Sequence, residues 1–256
     1  MSGAPLLSVE GVGKRFAGLA AVDDVTLAVN AGEIRGVVGP NGAGKTTLFN
    51  LISGLYAVSA GRIRFRGDDV THRPPEARAR LGLGRTYQTP QVFFDLTLFD
   101  NVAVGLACRR PPSAREALFG RWHSRRAAVD AVAELLDFVE VRADLGRQAG
   151  TLAFGELKRL EVARALAGKP GLLLMDEPAA GLNRAEIDGL VGVIRRIRDG
   201  GVTVALIEHN MRVVMGLCDR ITVLDVGRTL AEGAPDDVRR DPRVIRAYLG
   251  DTHAGV

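Results

Sequence analysis

The spacing of apolar and polar residues changes period repeatedly along the chain, and each change marks an element. Leu6–Val12 and Ala20–Val29 alternate in part between turns at Gly11-Val12-Gly13 and Asn30-Ala31-Gly32, and predict two strands. Phe16 falls between them. A β-favouring run, Ile34–Val38, leads through a glycine-rich turn into a helix-like run from Thr47 to Ile52. Arg62–Phe65 alternates as a strand, with Gly67-Asp68-Asp69 closing a hairpin. A short helix begins at Pro74-Pro75 and runs to Arg80, and Leu81–Tyr87 is extended. Asp95–Leu106 and Ala127–Val139 have helical spacing. Glu156–Ala167 is a helix with Leu157, Leu160, Ala163 and Leu166 as its apolar face, stopped by Gly168 and Pro170. Gly171–Met175 is too short for a helix and suits a fully buried parallel strand, as does Val202–Ile207. Between and after these lie helices over Asn183–Asp199 and Met211–Cys218, a hairpin of Ile221–Leu224 with Arg228–Leu230, and helices over Asp236–Arg240 and Val244–Leu249. Strands alternating with helices predict an α/β fold built on parallel βαβ units.

With 256 residues, the chain can hold one large domain or a core with a smaller lobe. The stretch 89–150 differs in character, with two helical patterns on either side of an arginine-rich connector, so the expected division is a core of 1–88 and 151–256 with a helical lobe of 89–150 that continues into 151–168. Net charge is +4, and only four of the 34 basic residues are lysine. That excess is a weak prior for acidic partners. It concentrates in Arg109–Arg126, where six arginines face one acid, Glu116, around Trp122 and His123. This connector reads as a solvated face or as a contact for a partner protein or anionic headgroups. It has too few aromatics for a nucleic-acid platform. Cys108 and Cys218 form no metal-like or redox pair. No apolar run approaches the roughly 18 residues of a membrane span, and no secretory signal is visible at the N-terminus. A soluble protein that reaches any membrane through partners is expected.

The glycine-rich turn carries the sharpest chemistry. Gly39-Pro40-Asn41-Gly42-Ala43-Gly44-Lys45-Thr46-Thr47 fits G-x-x-x-x-G-K-[ST], in the strand–turn–helix setting that a phosphate-binding P-loop needs. Glycines let the backbone wrap an anion closely. Successive N–H groups and the helix N-terminus then face the phosphates. Lys45 can reach the β- and γ-phosphates, and the Thr46 hydroxyl can bind Mg²⁺.

In open α/β sheets, ligands bind at the carboxyl ends of the strands. Three predicted strand ends here carry polar groups: the P-loop after Val38, Asp176-Glu177 after Met175, and His209 after Ile207. An acid after a buried strand of a P-loop protein is the expected Mg²⁺ partner, which assigns Asp176. Glu177 is placed to polarise a water for attack on the γ-phosphate.

These residues carry a resemblance over almost the full length. The chain resembles the ATP-binding cassette subunits of ABC transporters. Gly39–Thr47 matches the Walker A pattern, Leu172–Asp176 Walker B, and Glu177 the adjoining catalytic glutamate. Gln88 falls at the Q-loop glutamine, Leu152–Glu156 at the LSGGQ signature, Ala179–Asn183 at the D-loop, and His209 at the switch histidine. Phe16 matches the aromatic that stacks on adenine; by itself it reads equally as core. Within the family the chain is most similar to one ATPase subunit of branched-chain amino-acid importers. That similarity rests on Arg85-Thr86-Tyr87-Gln88, on Asp176–Asn183 and on the ending Val244–Gly250. Lipopolysaccharide-export cassettes share the tail, and a soluble ABC ATPase outside transport is a further alternative.

The resemblance implies a RecA-like core with an antiparallel β subdomain and a helical lobe. It implies ATP and Mg²⁺ as ligands: Phe16, Gly39, Asn41, Gly42, Gly44, Lys45, Thr46, Thr47 and Gln88 on this chain's nucleotide, and Leu152, Ala153 and Gly155 on a partner's. Thr46, Gln88 and Asp176 are implied at the metal, and Glu177, His209 and Lys45 in catalysis. The implied partners are a second cassette, expected to form a heterodimer, two membrane permeases and a solute-binding protein, with no nucleic acid. The implied location is peripheral, on the cytoplasmic face of the inner (plasma) membrane. One departure stands out. The signature serine and glutamine of the family are Ala153 and Glu156 here. Ala153 has no hydroxyl to offer a γ-phosphate, so the site this chain completes on its partner is expected to be the weaker one.

Overall fold

The computed structural model describes residues 4–109, 126–142 and 144–249. Apart from its first and last residues, the arginine-rich connector lies outside the described residues, as does Gly250. The strands are β1 (Leu7–Phe16), β2 (Leu19–Val29), β3 (Ile34–Val38), β4 (Ala60–Phe65), β5 (Asp68–Asp69), β6 (Leu83–Thr86), β7 (Leu172–Asp176), β8 (Thr203–Ile207), β9 (Arg220–Asp225) and β10 (Arg228–Gly233). The helices are α1 (Lys45–Ser53), α2 (Pro75–Arg80), α3 (Leu98–Arg109), α4 (Arg126–Phe138), α5 (Phe154–Ala167), α6 (Arg184–Asp199), α7 (Met211–Leu217), α8 (Pro235–Arg240) and α9 (Pro242–Leu249). One sheet is antiparallel, in the order β2-β1-β4-β5. The other runs β10-β9-β3-β8-β7-β6, parallel throughout except for the β9–β10 hairpin.

Strands β7 and β8 are buried on both faces, which is why Leu172–Met175 and Val204–Ile207 read as unbroken apolar runs. Leu172 and Leu174 of β7, with Ala205 and Ile207 of β8, face a core shared with α1 and the antiparallel sheet. Leu173, Met175, Val204 and Leu206 point the other way, into a core shared with α5, α6 and α7. The α/β expectation is therefore met, with parallel core, antiparallel sheet and helices together.

Parallel register aligns the carboxyl ends. Thr86 lies opposite Met175, Asp176 opposite Ile207, and Val37 opposite Ile207 on the other side. Four strands thus stop at one level, and the residues that follow them emerge along a single edge.

Three local expectations change. Phe16 ends β1 instead of standing in the turn between the strands, because β1 continues past bulges in its pairing with β2. The lobe helix starts at Leu98 instead of Asp95. Thr97 caps it, its hydroxyl accepting the Asp100 N–H at 3.0 Å. Helix α5 starts at Phe154 and is buried nearly all round rather than on one apolar face. Core lies on one side of it and the lobe helices α3 and α4 on the other, and even Lys158 and Glu161 are buried, against the backbone that follows β7 and β6.

Candidate functional site

The phosphate loop joins β3 to α1, and two of its glycines are forced by neighbouring backbone. A Cβ on Gly39, at φ +150°, would stand 2.0 Å from the Leu224 carbonyl oxygen. One on Gly44, at φ +94°, would stand 2.4 Å from that of Ala21. Gly44 caps α1 with no side-chain bond, and no acid stands in the first turn. The first N–H groups of the helix therefore face the open side as an unneutralised anion site. Asn41, Gly42, Gly44, Lys45, Thr46 and Thr47 line one concavity with Glu177 and His209. The Lys45 ammonium folds over the loop and donates to the carbonyls of Gly39 and Pro40, both at 2.8 Å. Burial lowers its pKa, while Glu177 and Asp176 act the other way.

The far end of α1 is equally constrained. Arg78, fully buried, donates to the Leu51 and Ile52 carbonyls at 2.6 and 2.7 Å and satisfies the last turn of the helix.

Across the loop, β7 delivers Asp176. Burial raises its carboxyl above the usual carboxylate range, and Glu177 adds to this; Arg85 and the Thr46 hydroxyl oppose it. Arg85 reaches from β6 to Asp176 Oδ2 at 3.4 Å and donates to Ser53 Oγ at 2.6 Å. Asp176 Oδ1 is buried with no hydrogen-bond partner. A free carboxylate oxygen beside a threonine hydroxyl and a phosphate cradle fits Mg²⁺, which binds through one or two carboxylates plus substrate phosphates. Among the described residues no group of three or more His, Cys, Asp or Glu converges into an all-protein metal cage.

Glu177 is the centre of the polar cluster. Its Oε1 lies 2.6 Å from His209 Nε2, and its Oε2 accepts the Gln88 amide at 2.7 Å. The carboxylate, itself at the end of β7, is thus held by groups from the two neighbouring strand ends, β6 and β8. Its backbone is left-handed at φ +46°, a conformation uncommon for a side-chain-bearing residue and concentrated at functional sites. A carboxylate held this way beside a phosphate cradle can take a proton from a water. Buried Glu208 braces the same edge, accepting the N–H of Ala179, His209 and Asn210 at 2.7, 3.0 and 3.1 Å.

Phe16 is 42% exposed and meets Tyr56 edge-on at 5.4 Å between ring centroids. Lys14 Nζ stands 5.0 Å from the Phe16 ring. Leu152, Ala153 and Gly155 lie apart from this cluster, at the start of α5: Ala153 is its N-cap, Leu152 and Gly155 are buried, and Phe154 is exposed. The Glu156 carboxylate turns back to accept the Ala153 N–H at 3.1 Å and lies 3.8 Å from Arg147.

The sequence alone did not single out Arg85, Tyr56, Glu208 or Lys158. Arg85 left a signal, since an arginine inside a buried strand requires a buried acceptor. Glu208 is the sequence neighbour of His209 at a strand end already assigned to the site, whereas Tyr56 and Lys158 are joined to it only by the chain's folding.

Comparison with known proteins agrees with this geometry. Residues 22–180 match the model of the ABC transporter family, and residues 228–254 that of the branched-chain amino acid ATP-binding cassette transporter. The chain is 41% identical over 251 residues to the high-affinity branched-chain amino acid transport ATP-binding protein BraF of Pseudomonas aeruginosa, covering 96% of this chain and 98% of that one. The same figures hold for LivG of Escherichia coli. Identity to the lipopolysaccharide export system ATP-binding protein LptB of Escherichia coli is 35%, covering 96% and 97%. Among solved structures, an ATP-binding cassette of an ABC transporter in its ADP conformation superposes with a TM-score of 0.85 at 31% identity, over 97% of this chain and 100% of that one. Loop, buried acid, neighbouring glutamate and full-length similarity all converge: the chain belongs to the ABC transporter family and is one of its ATP-hydrolysing ATP-binding subunits.

Proposed function

We propose that this chain powers the import of branched-chain or related amino acids from the cytoplasmic face of the inner (plasma) membrane. It pairs there with a second cassette and works with two permeases and a solute-binding protein. Hydrolysis at this chain's own site rests on one observation above all: Glu177 is held by His209 and Gln88 at the level of the phosphate loop. Choice of substrate rests on similarity to BraF and LivG, which exceeds that to LptB, and on the match over residues 228–254.

Each residue has a part in this reading. Phe16, braced edge-on by Tyr56, is the platform for adenine. The amides of Asn41–Thr47 and the Lys45 ammonium hold the phosphates. Thr46 and Asp176 hold Mg²⁺, with Gln88 within the same cluster. The ion, when bound, neutralises charge on the β- and γ-phosphates. Glu177 takes the proton of the attacking water, and His209 fixes the carboxylate and senses the phosphate. The start of α5, Leu152–Gly155, offers its N-terminus to the γ-phosphate bound by the paired cassette. The residues 1–88 and 151–256 act as the core and 89–150 as the lobe. Phe93, Phe94 and Leu96, exposed just beyond Gln88, suit an apolar permease contact next to the nucleotide sensor.

The test is recovery of the tagged chain from its own solubilised membranes, with mass spectrometry of what accompanies it. Two permeases, a second cassette and an amino-acid-binding protein are expected. A lipopolysaccharide-transport assembly would replace the importer reading, and ribosomal or DNA-repair partners would end the transport reading.

A further inference from the structure

Helix α5 does more than carry Leu152–Gly155 at its first turn. Lys158, one turn further on, is 4% exposed, and its ammonium donates to the backbone carbonyl of Glu177 at 2.9 Å. That carbonyl belongs to a residue whose backbone is left-handed, at φ +46°. The Glu177 N–H is tied on the opposite side to the Ile207 carbonyl of β8 at 3.0 Å. The peptide backbone of Glu177 is thus gripped from two elements, one in the sheet and one in the helix. The Phe154 ring, 5.5 Å from the Lys158 ammonium, packs against Gly181 in the segment that follows. Burial lowers the pKa of Lys158, while Glu208, Glu161, Glu177 and Asp176 oppose the shift and supply the field that keeps a cation there.

We infer that Lys158 is a positioning residue for Glu177: it holds the strained backbone that aims the carboxylate, and so makes the geometry of this chain's own base depend on the seating of α5. The inference rests on the proposed role of Glu177. If Leu152–Gly155 also engage a partner's nucleotide, a single helix joins the two sites, because a shift of its first turn reaches the Glu177 carbonyl through one side chain.

The test uses the full chain and four variants, two at Lys158, Glu177→Gln and the Glu177→Gln/Lys158→Met double, with ATP binding, melting temperature and single-turnover hydrolysis measured on each. Lys158→Met keeps the length of the side chain and removes the donor. It should lower the hydrolysis rate about tenfold while the affinity for ATP stays within about twofold, since the link acts on the base and not on the phosphate cradle. Lys158→Arg, which keeps the donor and the charge, should recover most of the rate. In a Glu177→Gln background, Lys158→Met should add less than about twofold, as expected for residues that act as one unit. A folded Lys158→Met hydrolysing at the wild-type rate overturns the inference, as does an undiminished tenfold loss in the Glu177→Gln background. If Lys158→Met does not fold, the Arg variant decides: rescue of folding without rescue of rate overturns the inference, and rescue of both supports it. Wild-type hydrolysis in Glu177→Gln removes the role of Glu177 and the inference with it. A silent Lys158→Met beside an inactive Glu177→Gln removes the inference alone.

Discussion

The two ends of this chain's chemistry are built on different principles. The phosphate loop, Asp176, Glu177 and His209 stand at the ends of parallel strands whose residues are all buried, and His209 and Gln88 hold the Glu177 carboxylate at 2.6 and 2.7 Å. The segment Leu152–Gly155 is a helix start with an exposed N-cap alanine and no side-chain acceptor of its own. The first region is a site that one chain preorganises by itself, with backbone strain held in place by its surroundings. In the proposed pairing, the second offers only backbone donors and a helix dipole to a phosphate that a partner would supply. Changes in the first region should therefore be severe and local to this chain's nucleotide, and changes in the second mild and visible only in the assembled pair.

Four substitutions break or sharpen that contrast. Glu177→Gln should cut turnover by about 10²–10⁴-fold, the range for losing a positioned base. ATP binding should survive, and the variant should accumulate as a closed nucleotide-bound dimer on gel filtration. Lys45→Ala removes a charge-assisted contact of ~1.5–3 kcal/mol, so the dissociation constant for ATP should rise about ten- to a hundredfold in a fluorescent-nucleotide titration. Phe16→Ala should weaken ATP about five- to tenfold and narrow its preference over GTP, as expected for loss of aromatic stacking with its buried area. The smallest effect belongs to the helix start. Ala153→Ser restores a hydroxyl, whose sharing with neighbouring amides limits the gain to about two- to threefold in turnover of the assembled transporter. A tenfold rise there would mean that the two ends are not as unequal as their construction implies; an unchanged or lower rate would mean that the hydroxyl is irrelevant.

Much of the site was legible because it is local. Gly39–Thr47 carries its own turn, its own donors and its own helix, and the acids follow short apolar runs whose length alone excludes helices. Elements whose environment comes from distant chain were read less well. Lys158 and Glu161 sit on positions that look like the solvent side of an amphipathic helix; the segments that follow β7 and β6 bury them, with the Glu177 carbonyl on Lys158 and the Tyr87 and Gln91 N–H groups on Glu161. Arg85 lies in an extended run that calls for an acceptor, but only β7 shows that the acceptor is Asp176. Tyr56 is forty residues from Phe16, and no periodicity links them.

The sequence by itself determined the α/β class, the phosphate loop and the identities of the acids, because glycine spacing, apolar runs and strand–helix alternation act within short windows of chain. Only the tertiary structure decided that four strands end at one level, that Gln88 and His209 grip Glu177 from opposite sides, and that Lys158 holds its carbonyl. Those features depend on the register of strands separated by up to about 170 residues, and on which face of α5 the core and the lobe leave no water to solvate. Long-range register is set by the packing of both sheet faces at once, and no local pattern carries it.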